Sequence, residues 1–195
     1  MATRPLRLTV PEESEWWNWI KKDRDYSFAL ARGQVQPPNP VKLVGYMGRQ
    51  VMDILWTGDV WMFCVSSRVI ELLQKNNITG WATYPVEVYD RKGQPLPGYH
   101  GFAVTGRGCR RDRSRSQIIT KQVVPGGKPF EVYKGLYFYE EDWDGSDFFR
   151  VLGVGTVVTE KVMRLFKKAK IANVRFIPLP EVELDVILDE YGHDV

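Results

Sequence analysis

The chain has 195 residues, 44% hydrophobic and 26% charged, with seven Trp, nine Tyr and nine Phe. That is a globular balance with enough apolar area for a core, in one large domain or two small ones. No apolar run reaches the length of about 18 residues needed for a membrane span, and none of signal-peptide type opens the sequence, so a cytoplasmic protein is expected. A net charge of +3 is too small to assign a partner.

In chain order, Leu6 to Val10 reads as a first strand. Pro11-Glu12-Glu13 reads as a helix start, with Pro at N1 and acids on the positive end of the dipole. The segment WWNWIKKDRDYSFALA continues it. GQVQPPNPVK (33–42) carries three prolines and is expected to be a linker. VEVYDRKGQPLPGYHGFAVTG predicts two strands of a hairpin around a turn at Arg91 to Pro97. Residues 107–129 are loop-rich, Phe130 to Tyr139 predicts a strand, and EEDWDGSD is an acidic turn. The tail from Glu181 is acidic, and its LDVILDEYG predicts a short helix.

One signal stands above the rest. VSSRVIELLQKNNITGWATYPV (65–86) and VTEKVMRLFKKAKIANVRFIPL (158–179) align without a gap at an offset of 93 residues, with six of 22 positions identical. Ser66 and Thr159 are both N-cap residues. Val65 with Ile70, and Val158 with Met163, form a hydrophobic staple in each copy. Val69, Leu72 and Leu73 share a helix face, as do Val162, Leu165 and Phe166. Asn77 predicts a left-handed helix end with Ile78 folding back. Lys170 adopts that conformation less readily, so the second helix is expected to end differently. Short strand-like runs flank both helices, WMFCV and WATYPVEVY on the first and GTVV and VRFIPL on the second. Upstream, Asp53-Ile54-Leu55-Trp56 resembles Asp147-Phe148-Phe149-Arg150. An α+β fold follows, with mixed or antiparallel sheets and a few helices, built around two similar strand-helix-strand units. The expected division is 1–50, 51–106, 107–146 and 147–195, folded as one two-lobed domain.

The chemistry-bearing residues are sparse. Motifs for phosphate loops, zinc proteases, serine hydrolases and dinucleotides are missing from the sequence. Cys64 and Cys109 have neither metal-ligand spacing nor a disulfide framework around them. Cys64 reads as a buried small hydrophobe. Cys109, among arginines, reads as a thiol of lowered pKa, but no base accompanies it and no enzyme is expected. No metal or cofactor is expected either. GRGCRRDRSRS, with Arg107, Arg110, Arg111, Arg113 and Arg115, is either a solvated or protein-facing patch or a grip for phosphates. In the acidic turn, Glu140, Glu141, Asp142 and Asp144 surround Trp143, which reads as a solvated turn or as an aromatic anchor ringed by charge. Trp16, Trp17 and Trp19 are core or, at Trp17, a binding surface.

These stretches together, in the order VSSRVIELLQKNNITGWATYPVEVYDRKGQPLPGYH, VTG, DRSRS, FEVYKGLYF and DFFRVLGVGTVVTEKVMRLFKKAKIANVRFIPL, resemble the eleventh immunity-protein family of bacterial polymorphic toxin systems. The resemblance spans roughly residues 54–179. It implies a non-catalytic protein that binds a cognate toxin in the cytosol of the producing cell and blocks it. The expected contact residues are Arg110, Arg111, Arg113, Arg115, Glu140, Glu141, Asp142, Trp143, Asp144 and Trp17. The expected partner is a toxin protein, with no membrane partner, nucleic acid disfavoured, and self-association left open. The alternative is a nucleic-acid-associated module using Arg107 to Arg115.

Overall fold

The computed structural model describes residues 4–17, 24–59, 61–122 and 126–186. It is an α+β protein whose strands, among the described residues, form four small sheets. The first sheet orders β1 (Arg7–Thr9), β2 (Val41–Met47) and β6 (Val86–Tyr89), with β1 antiparallel and β6 parallel to β2. The second orders β3 (Ile54–Trp56), β4 (Phe63–Ser66), β7 (Tyr99–Val104) and β5 (Trp81–Tyr84), antiparallel throughout. The third orders β12 (Gly155–Val158), β11 (Phe148–Val151) and β8 (Gly108–Cys109). The fourth orders β13 (Glu183–Asp185), β10 (Phe130–Lys134) and β9 (Gln117–Lys121). The α-helices bounded within the described residues are α1 (Arg24–Ala31), α2 (Ser67–Lys75) and α3 (Glu160–Lys168).

The two copies seen in the sequence are a hairpin followed by a helix. β3 pairs with β4, and β11 pairs with β12, so that Ile54 faces Val65 as Phe148 faces Val158. Each hairpin is closed at its base by an aspartate. Ser66 donates its N–H to the Asp53 carbonyl and its hydroxyl to Asp53 Oδ1, both at 2.8 Å. Thr159 does the same to Asp147, at 2.9 and 2.8 Å. A cation one residue into each helix completes the clamp, Arg68 on Asp53 at 2.6 Å and Lys161 on Asp147 at 3.3 Å. Ser66 and Thr159 therefore occupy the N-cap positions but cap no helix N–H with their side chains. Their hydroxyls serve the hairpin instead, because the aspartate is the stronger acceptor.

The helix ends agree more closely than expected. Asn77 has φ 49° and Lys170 φ 55°, and both helices close with the same long-range bond, Ile78 N–H to Leu73 at 3.0 Å and Ile171 N–H to Phe166 at 2.9 Å. The expectation of a different second ending is corrected. The left-handed residue is demanded by the returning isoleucine, which is buried in both copies and offsets the strain at Lys170. Three residues on, Gly80 (φ 82°) and Asn173 (φ 67°) again match in position and hand.

The copies pack on each other reciprocally. Phe148 N–H donates to Thr79 O at 3.0 Å, and the Asn173 side chain donates to Ile54 O at 2.7 Å. Arg68 reaches the carbonyl of Ala169 at the end of α3, and Lys161 reaches that of Asn77 at the end of α2. A cation at a helix C-terminus is favourable on electrostatic grounds as well. Between the copies lies one apolar cluster holding Val69, Leu73 and Ile78 from the first and Val162, Phe166 and Ile171 from the second. Rings of Phe102 and Phe148 meet edge to face at 5.3 Å inside it. A second cluster, with Leu8, Leu43, Leu55, Cys64 and Tyr84, lies under the N-terminal sheet. A third gathers Cys109, Leu136, Phe149, Val151 and Val157. Strand alternation explains the sharing: Phe148 enters one cluster and Phe149 another, as Ile54 and Leu55 do.

Four local expectations differ from the structure. Residues 11–14 form a turn rather than a first helical turn. Ser14, whose Oγ accepts from Trp17 N–H at 3.2 Å, starts the helical stretch at 15–17. The predicted hairpin of residues 86–104 has both strands and the turn, but β6 joins β2 while β7 joins β4 and β5. The cause is Pro85, which has no N–H to give and breaks the long strand 81–89 between two sheets. Phe130 to Tyr139 is strand only to Lys134, since Gly135 turns with φ 89°. The second copy's closing run, VRFIPL, forms no strand pairing. The predicted tail helix lies mostly outside the described residues, and its Leu184 and Asp185 belong to β13. Trp19 and His193 also lie outside them.

Asp147 is the more heavily used clamp, taking also the Thr79 N–H at 3.1 Å. Burial alone would push its carboxyl up, but bonds from Thr159, Thr79 and Lys161 outweigh it and hold the pKa below the ordinary carboxylate value. The stabilisation is therefore full above about pH 4 and fades as pH falls through the lower folded value. Asp147→Ala is expected to cost about 2–3 kcal/mol in urea unfolding at pH 7, more than Asp53→Ala. Asp147→Asn is expected to flatten the acid limb of the stability profile.

Candidate functional site

The two charged patches expected as separate surfaces are brought together. β8 and the following loop run beside the 140–142 turn, so the Arg-rich stretch docks on the acidic one. Arg110 makes a bidentate pair with Asp142, Nε to Oδ2 at 2.8 Å and NH2 to Oδ1 at 3.0 Å, and its backbone N–H adds a third bond at 2.9 Å. Glu141 lies 3.6 Å from the same guanidinium. The Arg107 N–H donates to Asp144 at 3.0 Å. The Arg110 side chain holds the Asp142 carboxyl below its usual range, and Asp142 in turn raises Arg110. This mutual neutralisation leaves a surface of alternating sign rather than a cationic groove. Pairs 32 and 37 residues apart give no periodic signal in the sequence.

The arginines also have aromatic platforms that sequence reasoning missed. Arg110 lies over Tyr139 at 4.9 Å, Arg111 over Tyr133 at 4.9 Å and Arg115 over Tyr137 at 4.4 Å. These tyrosines sit on β10 and the segment after it, and only the spacing of aromatics in FEVYKGLYFY hinted at such a row. Arg113 is exposed in a short 3-10 turn capped by Asp112, which accepts from Ser114 N–H. Trp143 is 38% exposed, with its Nε1 donating to Ser146 O and its ring 5.6 Å from Phe149. It thus stands half on the third core and half in solvent, beside exposed Glu140 and Glu141. Trp17 is half-buried against the first core, and Trp16 beside it is fully core. Trp17 is not brought near the arginine belt.

Cys109 is corrected outright. Its side chain is fully buried in the third core, and burial, reinforced by Asp142 and Asp144, pushes the thiol pKa up despite Arg107. The chain's arginines surround the loop, but strand alternation turns this residue inward. Cys64 is buried as expected, and both thiols are free. His100 on β7 contacts the Ser67 hydroxyl at 3.0 Å and is registered opposite Val65. Among the described residues no group of three metal-ligating side chains gathers, and no helix is long and apolar enough to cross a membrane.

Two cavities of about 460 and 690 Å3 lie along β12. The first is lined by apolar side chains of the cluster between the copies and by Arg150, which is 4% exposed. Arg150 donates to Ala31 O at 3.0 Å and lies over Trp61 at 5.6 Å, while its Nε has no partner. Burial and the neighbouring Arg32 push its pKa down to about 10. The second cavity is lined by Leu136, Val157, Met163 and Val182 among others.

The class defined by this architecture is an internally duplicated α+β protein with a self-neutralised charged belt. Its sequence matches the family model described as Immunity protein family (Imm11) over residues 9–180, and the chain belongs to that family. No curated protein matches it.

Cys109 buried in an apolar core is expected to resist alkylation. Native protein at pH 7.5 should react with a thiol reagent over hours at both cysteines, and within minutes in about 6 M guanidinium chloride, as for thiols released by unfolding. Fast native labelling at Cys109 would show the residue open to solvent.

Proposed function

We propose that this chain is a non-catalytic immunity protein of a polymorphic toxin system, which binds its cognate toxin by direct contact in the cytoplasm of the producing cell. Membership of the immunity family across 172 of the chain's residues (9–180) carries the reading. The chain acts as one two-lobed body, with lobes 51–106 and 147–195 joined by 107–146 and preceded by 1–50. Three core clusters and a clamped duplication supply the rigid scaffold that tight binding favours, since little order must then be imposed on association.

Contact residues in this reading are Trp143 with Glu140, Glu141, Asp142 and Asp144, the arginines 110, 111, 113 and 115, and Trp17. The Trp143 ring already rests on Phe149, so it is presented at low entropic cost, as anchor residues are. The alternating charges around it favour orientation and on-rate more than raw affinity. Nucleic acid is the weaker reading. Arg110 is already matched by Asp142, and the faces of Tyr133, Tyr137 and Tyr139 that would stack on bases are covered by guanidinium groups.

The test is survival of cells expressing the toxin encoded beside this gene, with and without this chain. Protection together with a purified complex is expected. A toxin that kills equally well in both, and a chain that instead binds single-stranded nucleic acid with steep salt dependence, would reverse the assignment. Trp143→Ala is expected to weaken the complex about 10- to 30-fold, the size of a hot-spot loss, with the protein still folded by circular dichroism. Global unfolding would assign the ring to the core instead.

A further inference from the structure

One difference between the two copies is a missing strand. In the first copy β4, α2 and β5 form a crossover in which β4 and β5 are parallel but do not touch. β7 lies between them, antiparallel to both, with Val65 opposite His100 and Thr83 opposite Phe102. At the offset of 93 residues, β4 corresponds to 156–159 and β5 to 174–177. In the second copy, among the described residues, β12 is a sheet edge paired with β11 alone. Residues 174–177 make no strand pairing and no backbone hydrogen bond among the described residues. Nothing among the described residues takes the place of β7.

The two cavities occupy that place. Both are lined by residues of β12 and by Arg175 and Phe176. One opens on the core between the copies, the other on the core containing Leu136 and Val157. A strand seated there would send alternate side chains into each. The outward N–H groups are also assigned. Thr159 N–H points back to Asp147 O, so by alternation those of Thr156 and Val158 point into the gap. The first copy shows the same parity, with Ser66 N–H turned to Asp53 and the next residue's N–H given to Gly98. On the far wall, Ile177 is 44% exposed.

The charged groups lining the gap are Arg150, Lys167 and Arg175 against a single acid, Glu160. Arg150 is buried with an unpartnered Nε. The occupant is therefore apolar in alternation and carries an acidic side chain.

We infer that the gap between β12 and residues 174–177 receives an extended segment of the cognate toxin, which completes the second sheet as an antiparallel strand and sets a carboxylate against Arg150. Such edge addition uses main-chain bonds for affinity and side-chain pockets for specificity. The inference rests on the toxin-binding reading and gives it a contact surface apart from Trp143.

The experiment is amide hydrogen exchange on the full chain, alone and with the purified toxin encoded beside its gene. Binding is expected to slow exchange at Thr156, Val158 and 174–177 at least 10-fold. Thr156→Pro removes an outward N–H, and Ile177→Glu adds a carboxylate on the opposite wall that repels an acidic occupant. Each is expected to weaken the complex 10-fold or more, while thermal unfolding reports that the variant is folded. Should Thr156→Pro fail to fold, Ile177→Glu, at an exposed position, still decides. A complex that forms and protects cells, yet leaves these amides and both variants unaffected, overturns the strand insertion and leaves the immunity function standing. Failure of any complex overturns both. Protection of the same amides in the chain alone also overturns the assigned occupant: if it rises with concentration, a second copy fills the gap, and if it vanishes on truncation after residue 186, the chain's own tail does.

Discussion

Neither hairpin-helix copy can bury its apolar face alone, and everything else in the molecule follows from how the two share one. Val69, Leu73 and Ile78 meet Val162, Phe166 and Ile171 in a single cluster, so each copy supplies the hydrophobic partner the other lacks. The aspartates at the hairpin bases fix the angle at which each helix leaves its strand. The cations that grip those aspartates also reach the opposite helix end. Local geometry and mutual packing are thus set by the same four side chains: Asp53, Arg68, Asp147 and Lys161.

The repeat was legible because caps, staples and periodic faces are local, and local signals survive in a linear string. Asn77 could be read as a left-handed helix end from its residue type. Lys170 could not, because there the conformation is imposed by Ile171 returning to the core. Pro85 was visible, but which sheet receives each half of the strand it divides depends on β2 and β7, both distant in sequence. The charged patches were legible as composition and illegible as geometry. Arg110 meets Asp142 only because β8 lies parallel to β11 and carries the loop alongside the turn. The same pairing of β8 decides that Cys109 faces inward. In each case the residue type was evident and the long-range pairing was not.

The charged belt and the buried thiols point the same way. A groove built for phosphates keeps its cations unmatched, and a nucleophilic cysteine keeps its sulfur in contact with solvent. Here Arg110, Arg111 and Arg115 lie on a carboxylate or on tyrosine faces, and both sulfurs lie in apolar cores. The belt therefore presents paired charges beside a half-exposed Trp143, on a chain that belongs to the immunity family.

Pro85 has a mechanical corollary. Tyr84 on one side of it lies with its ring against Gly101, where any larger side chain would collide with the ring carbons, and Val86 on the other side is registered to Val41. One proline, with the two peptide bonds that flank it, therefore joins the two sheets with little slack. Force along β6 passes through covalent bonds to β5, so the N-terminal layer is anchored to its neighbour at the one strand, β6, on which β2 is registered.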